Sequence, residues 1–164
     1  GLKNLETVSA DGRQFTLNKP ADRVLLDAPC SGTGVINRRT DIRCNRKKED
    51  IDELNSLQKE LLANAAKLVK PGGVIVYSTC SLEPEENIQV IEWFLKEHPQ
   101  FHGSSLLPFL NAEIQKTWFS NENEEFLPNV SKRAAAEKGY IQLIPTRHGV
   151  AGFFVCRLQR QSEP

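Results

Sequence analysis

The sequence contains no methionine and opens on Gly1. A start of that kind points to a fragment or a processed chain. No apolar run approaches the roughly 20 residues that a membrane helix needs, and no signal-peptide pattern stands at the beginning. Net charge is also missing, because 21 Lys and Arg balance 21 Asp and Glu. A charged binding face must therefore come from local clustering. Cysteine is sparse: Cys30, Cys44, Cys80 and Cys156 are separated by 14, 36 and 76 positions, with no Cys-x-x-Cys pair. That spacing fits no zinc pattern, and His98, His102 and His148 are scattered, so no metal site is expected. A disulfide framework is not expected at this length either, and reduced thiols in a cytoplasmic compartment are the natural reading. What remains is a chain of 164 residues, 39% of them hydrophobic, enough for one soluble globular domain with a core.

Read in order, the chain alternates strands and helices. Leu5–Ala10 reads as a strand ending at the turn signal Asp11-Gly12. Arg23–Asp27 reads as a short buried strand that ends on a carboxylate. From Ile51 to Val69, Leu54, Leu57, Leu61, Ala65 and Leu68 recur at helical steps, with acids before them and Pro71-Gly72-Gly73 as a stop. Val74–Tyr77 is a β-branched strand, and Pro84 with Glu85 and Glu86 opens a second helix that ends at His98-Pro99. Residues 101–139 are weakly patterned and read as a long loop or insertion with short helical pieces, one over Ser131–Lys138. Tyr140–Ile144 and Phe153–Leu158 read as a closing antiparallel hairpin. The alternation predicts an α/β fold: a mostly parallel sheet, helices covering it, and that carboxyl-terminal hairpin.

Two stretches carry chemistry. Asp27-Ala-Pro-Cys30-Ser-Gly-Thr-Gly34 follows the first buried strand, and Ser78-Thr-Cys80-Ser81 follows the next. In open parallel sheets, ligands gather at the carboxyl ends of strands. If the two strands are neighbours, ~4.8 Å apart, both thiols can face one substrate. Cys156 lies within the closing hairpin and reads as structural. Arg38, Arg39, Arg43, Arg46, Lys47 and Lys48 crowd the segment after the first loop, a candidate contact for nucleic-acid phosphates.

These motifs, with Pro71-Gly-Gly73, Pro84-Glu-Glu-Asn87, Asp11-Gly12-Arg13 and the closing Gly152-Phe153-Phe154, resemble the Sun/Fmu (RsmB-type) RNA cytosine-5 methyltransferases over nearly the whole chain. The sequence departs from the family pattern at Thr40 and Cys44, where Pro and Trp are usual, and at Ala151, where Asp usually precedes Gly-Phe-Phe. No Gly-rich cofactor loop precedes Leu5. The resemblance therefore implies the second half of a Rossmann-like, S-adenosylmethionine-dependent catalytic domain.

The resemblance also implies roles. Carbon 5 of cytosine is a poor nucleophile until a thiolate adds to carbon 6, a case of covalent catalysis. Cys80 would be that thiolate, and Cys30 would assist proton removal at carbon 5 and release. Asp27 would bond the polar edge of the base. Asp11 and Asp27 would border S-adenosylmethionine, and the six basic residues would hold RNA. Ribosomal RNA, 16S rRNA first, is the expected substrate. The chain on its own would bind S-adenosylmethionine weakly or not at all. A non-catalytic RNA-binding or assembly module of the same fold is the second reading. A thiol redox protein using Cys30 and Cys80 ranks third, for want of Cys-x-x-Cys spacing.

Overall fold

A computed structural model describes residues 3–39, 47–119, 125–127 and 130–162. Strand β1 (Ala21–Asp27) leads through a 3-10 turn (Thr33–Val35) towards helix α1 (Lys48–Leu68), which passes directly into β2 (Val69–Thr79). A 3-10 turn (Pro84–Glu86) and α2 (Ile88–Glu97) follow, then β3 (Phe101–Gly103) and a further 3-10 turn (Leu107–Phe109). Next come α3 (Ala112–Trp118), β4 (Glu125–Leu127), β5 (Val130–Ser131) and α4 (Lys132–Glu137). The chain closes with β6 (Tyr140–Leu143), α5 (Pro145–His148) and β7 (Phe153–Arg160).

The main sheet runs β1-β2-β7-β3, with β6 also paired to β7. β1 and β2 are parallel, with Val24 opposite Ile75, Leu26 opposite Tyr77 and Asp27 opposite Ser78. β7 is antiparallel to β2 on one side, and to β6 and β3 on the other. The expected hairpin is thus present as β6–β7, and β7 lies between β6 and the parallel pair. The β1-α1-β2 unit is the crossover that parallel neighbours require. Helix α1 packs on β1, β2 and α2. Leu62, Ala65, Val69, Ile75, Tyr77, Phe94, Phe154 and Leu158 make the core between helices and sheet.

Several boundaries differ from the sequence reading. Leu5–Ala10 forms no strand, and Leu5 and Val8 are 69% and 60% exposed. A strand needs a ladder partner, and among the described residues nothing pairs with the outer edge of β1. The following turn is tied to α1 instead: the Asn64 side-chain amide donates to the Gly12 and Phe15 carbonyls, both at 2.9 Å. β1 is therefore not the buried strand expected: as the sheet's edge it has no fully buried residue, Leu25 is 72% exposed, and an open groove of about 460 Å³ remains along it, lined by Val8, Phe15, Leu17, Leu25, Leu61 and Leu68 among others. Helix α1 begins at Lys48 rather than Ile51, since the Asp50 carboxylate accepts the Lys47 N–H at 3.0 Å and caps it. Pro71-Gly72-Gly73 lies inside β2, with Gly72 at φ +75°, a conformation that favours glycine. The second helix is broken at Asn87, which separates a 3-10 turn from α2. The Asn87 side chain is occupied there: its amide donates to Ser81 O at 2.9 Å and its Oδ1 accepts from Thr79 Oγ1 at 2.5 Å.

Candidate active site

Because β1 and β2 are adjacent and parallel, their carboxyl ends emerge side by side. The pairing continues one residue past β1, where Ala28 N–H donates to Ser78 O at 2.9 Å. Both loops then run in the same direction, and the Cys30 and Cys80 Sγ atoms come within 3.2 Å of each other. Each thiol is partly exposed, as a group that meets a substrate must be. Cys156 is fully buried in β7, opposite Tyr77, and plays no part in this arrangement.

The two thiols differ in character. Burial, and then the hydrogen bond and charge shared with Cys80, push the Cys30 thiol up to about 12. Cys30 therefore keeps its proton at neutral pH and can donate it towards the Cys80 sulfur. Asp27, exposed at the end of β1, accepts a hydrogen bond from Ser78 Oγ at 2.7 Å through Oδ1. Ser78 thus orients that carboxylate beside the two loops.

A third loop closes the site. Gly34 N–H donates to Cys80 O at 3.0 Å, and Gly152 N–H donates to Gly34 O at 2.8 Å. Thr33 Oγ1 accepts the Leu82 N–H at 2.9 Å. The glycines permit this because a Cβ at Gly34 would lie 2.7 Å from the carbonyl oxygens of Cys80 and Gly152. Gly152 of the Gly152-Phe153-Phe154 motif therefore meets the first thiol loop through backbone contact alone.

The remaining predicted residues lie apart from this cluster. Asp11 is bound by its neighbour Arg13, whose Nη2 approaches Oδ2 at 2.6 Å and whose backbone N–H reaches Oδ1 at 2.9 Å. That fork lowers the Asp11 carboxyl to about 2. No hydrogen bond or ion pair joins Asp11 to Asp27 or to either thiol among the described residues. Arg38 and Arg39 follow the 3-10 turn and are exposed, as are Lys47 and Lys48 at the start of α1. Arg43 and Arg46 lie outside the described residues. As a test of fit to S-adenosylmethionine, Asp27 offers one outward carboxylate, whereas Asp11 is already engaged with a cation. Of the two carboxylates, only Asp27 is free, among the described residues, of a cation that would compete with such a ligand. Sequence reasoning missed Ser78, Ser31, Ser81, Gln58 and Glu86. The available signal for Glu86 is the Pro84-Glu-Glu-Asn87 motif, which the sequence reading takes as a helix start and as part of the family pattern, with no role for Glu86 itself.

The family profile described as "16S rRNA methyltransferase RsmB/F" matches residues 1–159. A relative from Bacillus subtilis, "Probable ribosomal RNA small subunit methyltransferase B", is 38% identical over 144 residues, which cover 88% of this chain and 28% of the relative. The Schizosaccharomyces pombe "25S rRNA (cytosine-C(5))-methyltransferase nop2" is 36% identical over 170 residues, covering 99% of this chain and 26% of its own length. The chain thus spans between a quarter and a third of these relatives. Among solved structures, "NSun6 from Pyrococcus horikoshii with SFG" superposes with a TM-score of 0.71 at 26% identity, over 98% of this chain and 36% of that one. The profile match over nearly the whole sequence shows that this chain belongs to the 16S rRNA methyltransferase RsmB/F family.

Proposed function

We propose that this chain carries the thiol half of a centre that methylates carbon 5 of a cytosine in ribosomal RNA, 16S rRNA first. The carrying observation is the 3.2 Å contact between Cys30 and Cys80 at the ends of adjacent parallel strands. The similarity to rRNA methyltransferases supports the substrate class.

Cys80 is the attacking sulfur. Its thiolate adds to carbon 6 of the base, forming a sulfur–carbon bond and leaving carbon 5 enamine-like. S-adenosylmethionine, when bound, supplies an electrophilic methyl group on a sulfonium; the neighbour solved with SFG, an analogue of it, supports that choice. After methylation, carbon 5 must lose its proton before the sulfur–carbon bond can break and return the thiolate. Cys30 serves that second stage. While Cys80 holds charge, Cys30 is kept protonated. Once the Cys80 sulfur is bonded to carbon, that part of the upward push disappears, so Cys30 gives its own proton to solvent more readily and the resulting thiolate takes the proton from carbon 5. Asp27, oriented by Ser78, bonds the polar edge of the base. A cytosine inside a helix must be turned out of its stack to reach these groups. Arg38, Arg39, Lys47 and Lys48, with Arg43 and Arg46, hold the RNA phosphates.

The 164-residue chain alone binds S-adenosylmethionine weakly or not at all. Asp27 is one wall of a site, Asp11 is tied to Arg13, and β1 has an unpaired outer edge among the described residues. A calorimetric titration reaching micromolar affinity with this chain would overturn that statement. The catalytic reading is tested in the intact protein with rRNA and labelled S-adenosylmethionine. Cys80→Ala is expected to abolish methyl transfer, and Cys30→Ala to accumulate an RNA adduct that survives a denaturing gel. Methyl transfer retained by Cys80→Ala would remove Cys80 from the attacking role, whereas RNA binding without methyl transfer by the intact parental protein would favour the non-catalytic RNA-binding module instead.

A further inference from the structure

Nothing in the thiol pair itself holds the two sulfurs at 3.2 Å, since a thiol is only a weak donor and a weak acceptor. The spacing must be imposed by the loops. Glu86, in the 3-10 turn after β2, is fully buried. Burying a carboxylate is costly unless donors surround it, and here they do. Glu86 Oε1 accepts the Ser31 N–H at 2.8 Å and the Gln58 amide at 3.0 Å. Glu86 Oε2 accepts Ser81 Oγ–H at 2.5 Å and also the Ser31 hydroxyl. Ser31 directly follows Cys30, and Ser81 directly follows Cys80. One carboxylate therefore grips both thiol loops, one residue beyond each sulfur.

The grip is anchored on two further sides. Gln58 of α1 sends its amide to Pro29 O at 2.9 Å as well as to Glu86, and leaves its Oε1 buried with no hydrogen-bond partner among the described residues. An orphaned buried acceptor is costly, which marks where its two donors are needed. Tyr77 Oη donates to the Glu86 carbonyl at 2.7 Å, fixing the turn to β2.

We infer that Glu86 is a positioning residue: its carboxylate sets the distance between the Cys30 and Cys80 loops. The consequence for turnover rests on the proposed roles of the two cysteines; the geometric claim does not. The test measures spacing without methyl transfer. Diamide takes the two thiol hydrogens and leaves a Cys30–Cys80 disulfide, which requires the sulfurs to close to about 2.05 Å. Its rate is followed as the linked peptide by mass spectrometry, at a temperature where circular dichroism shows each variant folded.

Glu86→Ala is expected to slow disulfide formation by about 10- to 100-fold, the effect of a misplacement near 1 Å. Glu86→Gln can still accept the Ser31 N–H and can donate to the two hydroxyls, so it should react close to the parental rate. A purely structural role would lower the melting temperature of both variants without separating their rates. A folded Glu86→Ala that reacts at or above the parental rate overturns the inference, as does Glu86→Gln failing as badly as Glu86→Ala. Should Glu86→Ala not fold, Ser81→Ala, which removes a single donor, decides the matter: an intermediate rate supports the grip and an unchanged one refutes it. In the intact protein, Glu86→Ala is further expected to lower kcat with little change in KM. If Cys80→Ala leaves methyl transfer intact, the catalytic reading falls while the disulfide rates still judge Glu86.

Discussion

Gly152 donates its backbone N–H to Gly34 O at 2.8 Å, with no room for a side chain between the two backbones. A Cβ on Gly152 would lie 2.5 Å from Gly34 Cα, and one on Gly34 would meet Cys80 O at 2.7 Å. The loop before β7 thus presses on the first thiol loop, which presses on the second. Backbone must shift if either glycine gains a side chain.

Gly152→Ala and Gly34→Ala are therefore expected to destabilise the fold by about 1–3 kcal/mol, as overpacking does. Urea unfolding measures that change. The same variants should alter the alkylation rate of Cys80, because its carbonyl is one of the groups displaced.

Cys30 is expected to react with iodoacetamide along a pH profile displaced upward from the ordinary 9.0 towards about 12. In Cys80→Ser the profile should move down only partly, because burial is the leading cause and remains. The sign for stability follows from linkage. The raised thiol contributes stability that is present below pH 9.0 and is lost as pH rises towards about 12. Unfolding midpoints measured across that window should fall, and should fall less in Cys30→Ala.

Asp11 should titrate near 2 in an NMR pH series, and Arg13→Ala should return it towards 3.8. The carboxylate is depressed, so the favourable pairing with Arg13 is present above 3.8 and disappears as pH falls through about 2. An Asp11 midpoint unmoved by Arg13→Ala would show that the fork does not hold in solution.

The basic segment should act through phosphates without sequence preference. Replacing Arg38, Arg39, Lys47 or Lys48 by Ala in the intact protein is expected to weaken RNA binding. The slope of log K against log salt should become shallower by about 0.7 for each single-strand phosphate no longer neutralised. Filter binding across a salt series measures both. A slope equal to the parent's would place that residue off the RNA path.

What the sequence determined by itself was local. The helical recurrence from Leu54 to Leu68 marked α1, and the β-branched run at Val74–Tyr77 marked part of β2. The carboxylate and thiols stood visibly at strand ends, because those patterns depend only on neighbours along the chain. Element boundaries were less legible. The capping of α1 by Asp50 and the break at Asn87 depend on side-chain hydrogen bonds that periodicity does not encode.

Only the tertiary structure decided the rest. It brought Cys30 and Cys80 together across 50 residues, through the register that sets Asp27 opposite Ser78. It left Leu5–Ala10 without a strand, because strand formation depends on a partner supplied from elsewhere. It turned Glu86 from an acid near a helix start into a buried acceptor for four donors, drawn from both thiol loops and α1. A carboxylate in a sequence reads as solvent-facing by default; whether it is buried, and what surrounds it, is fixed only when distant segments pack.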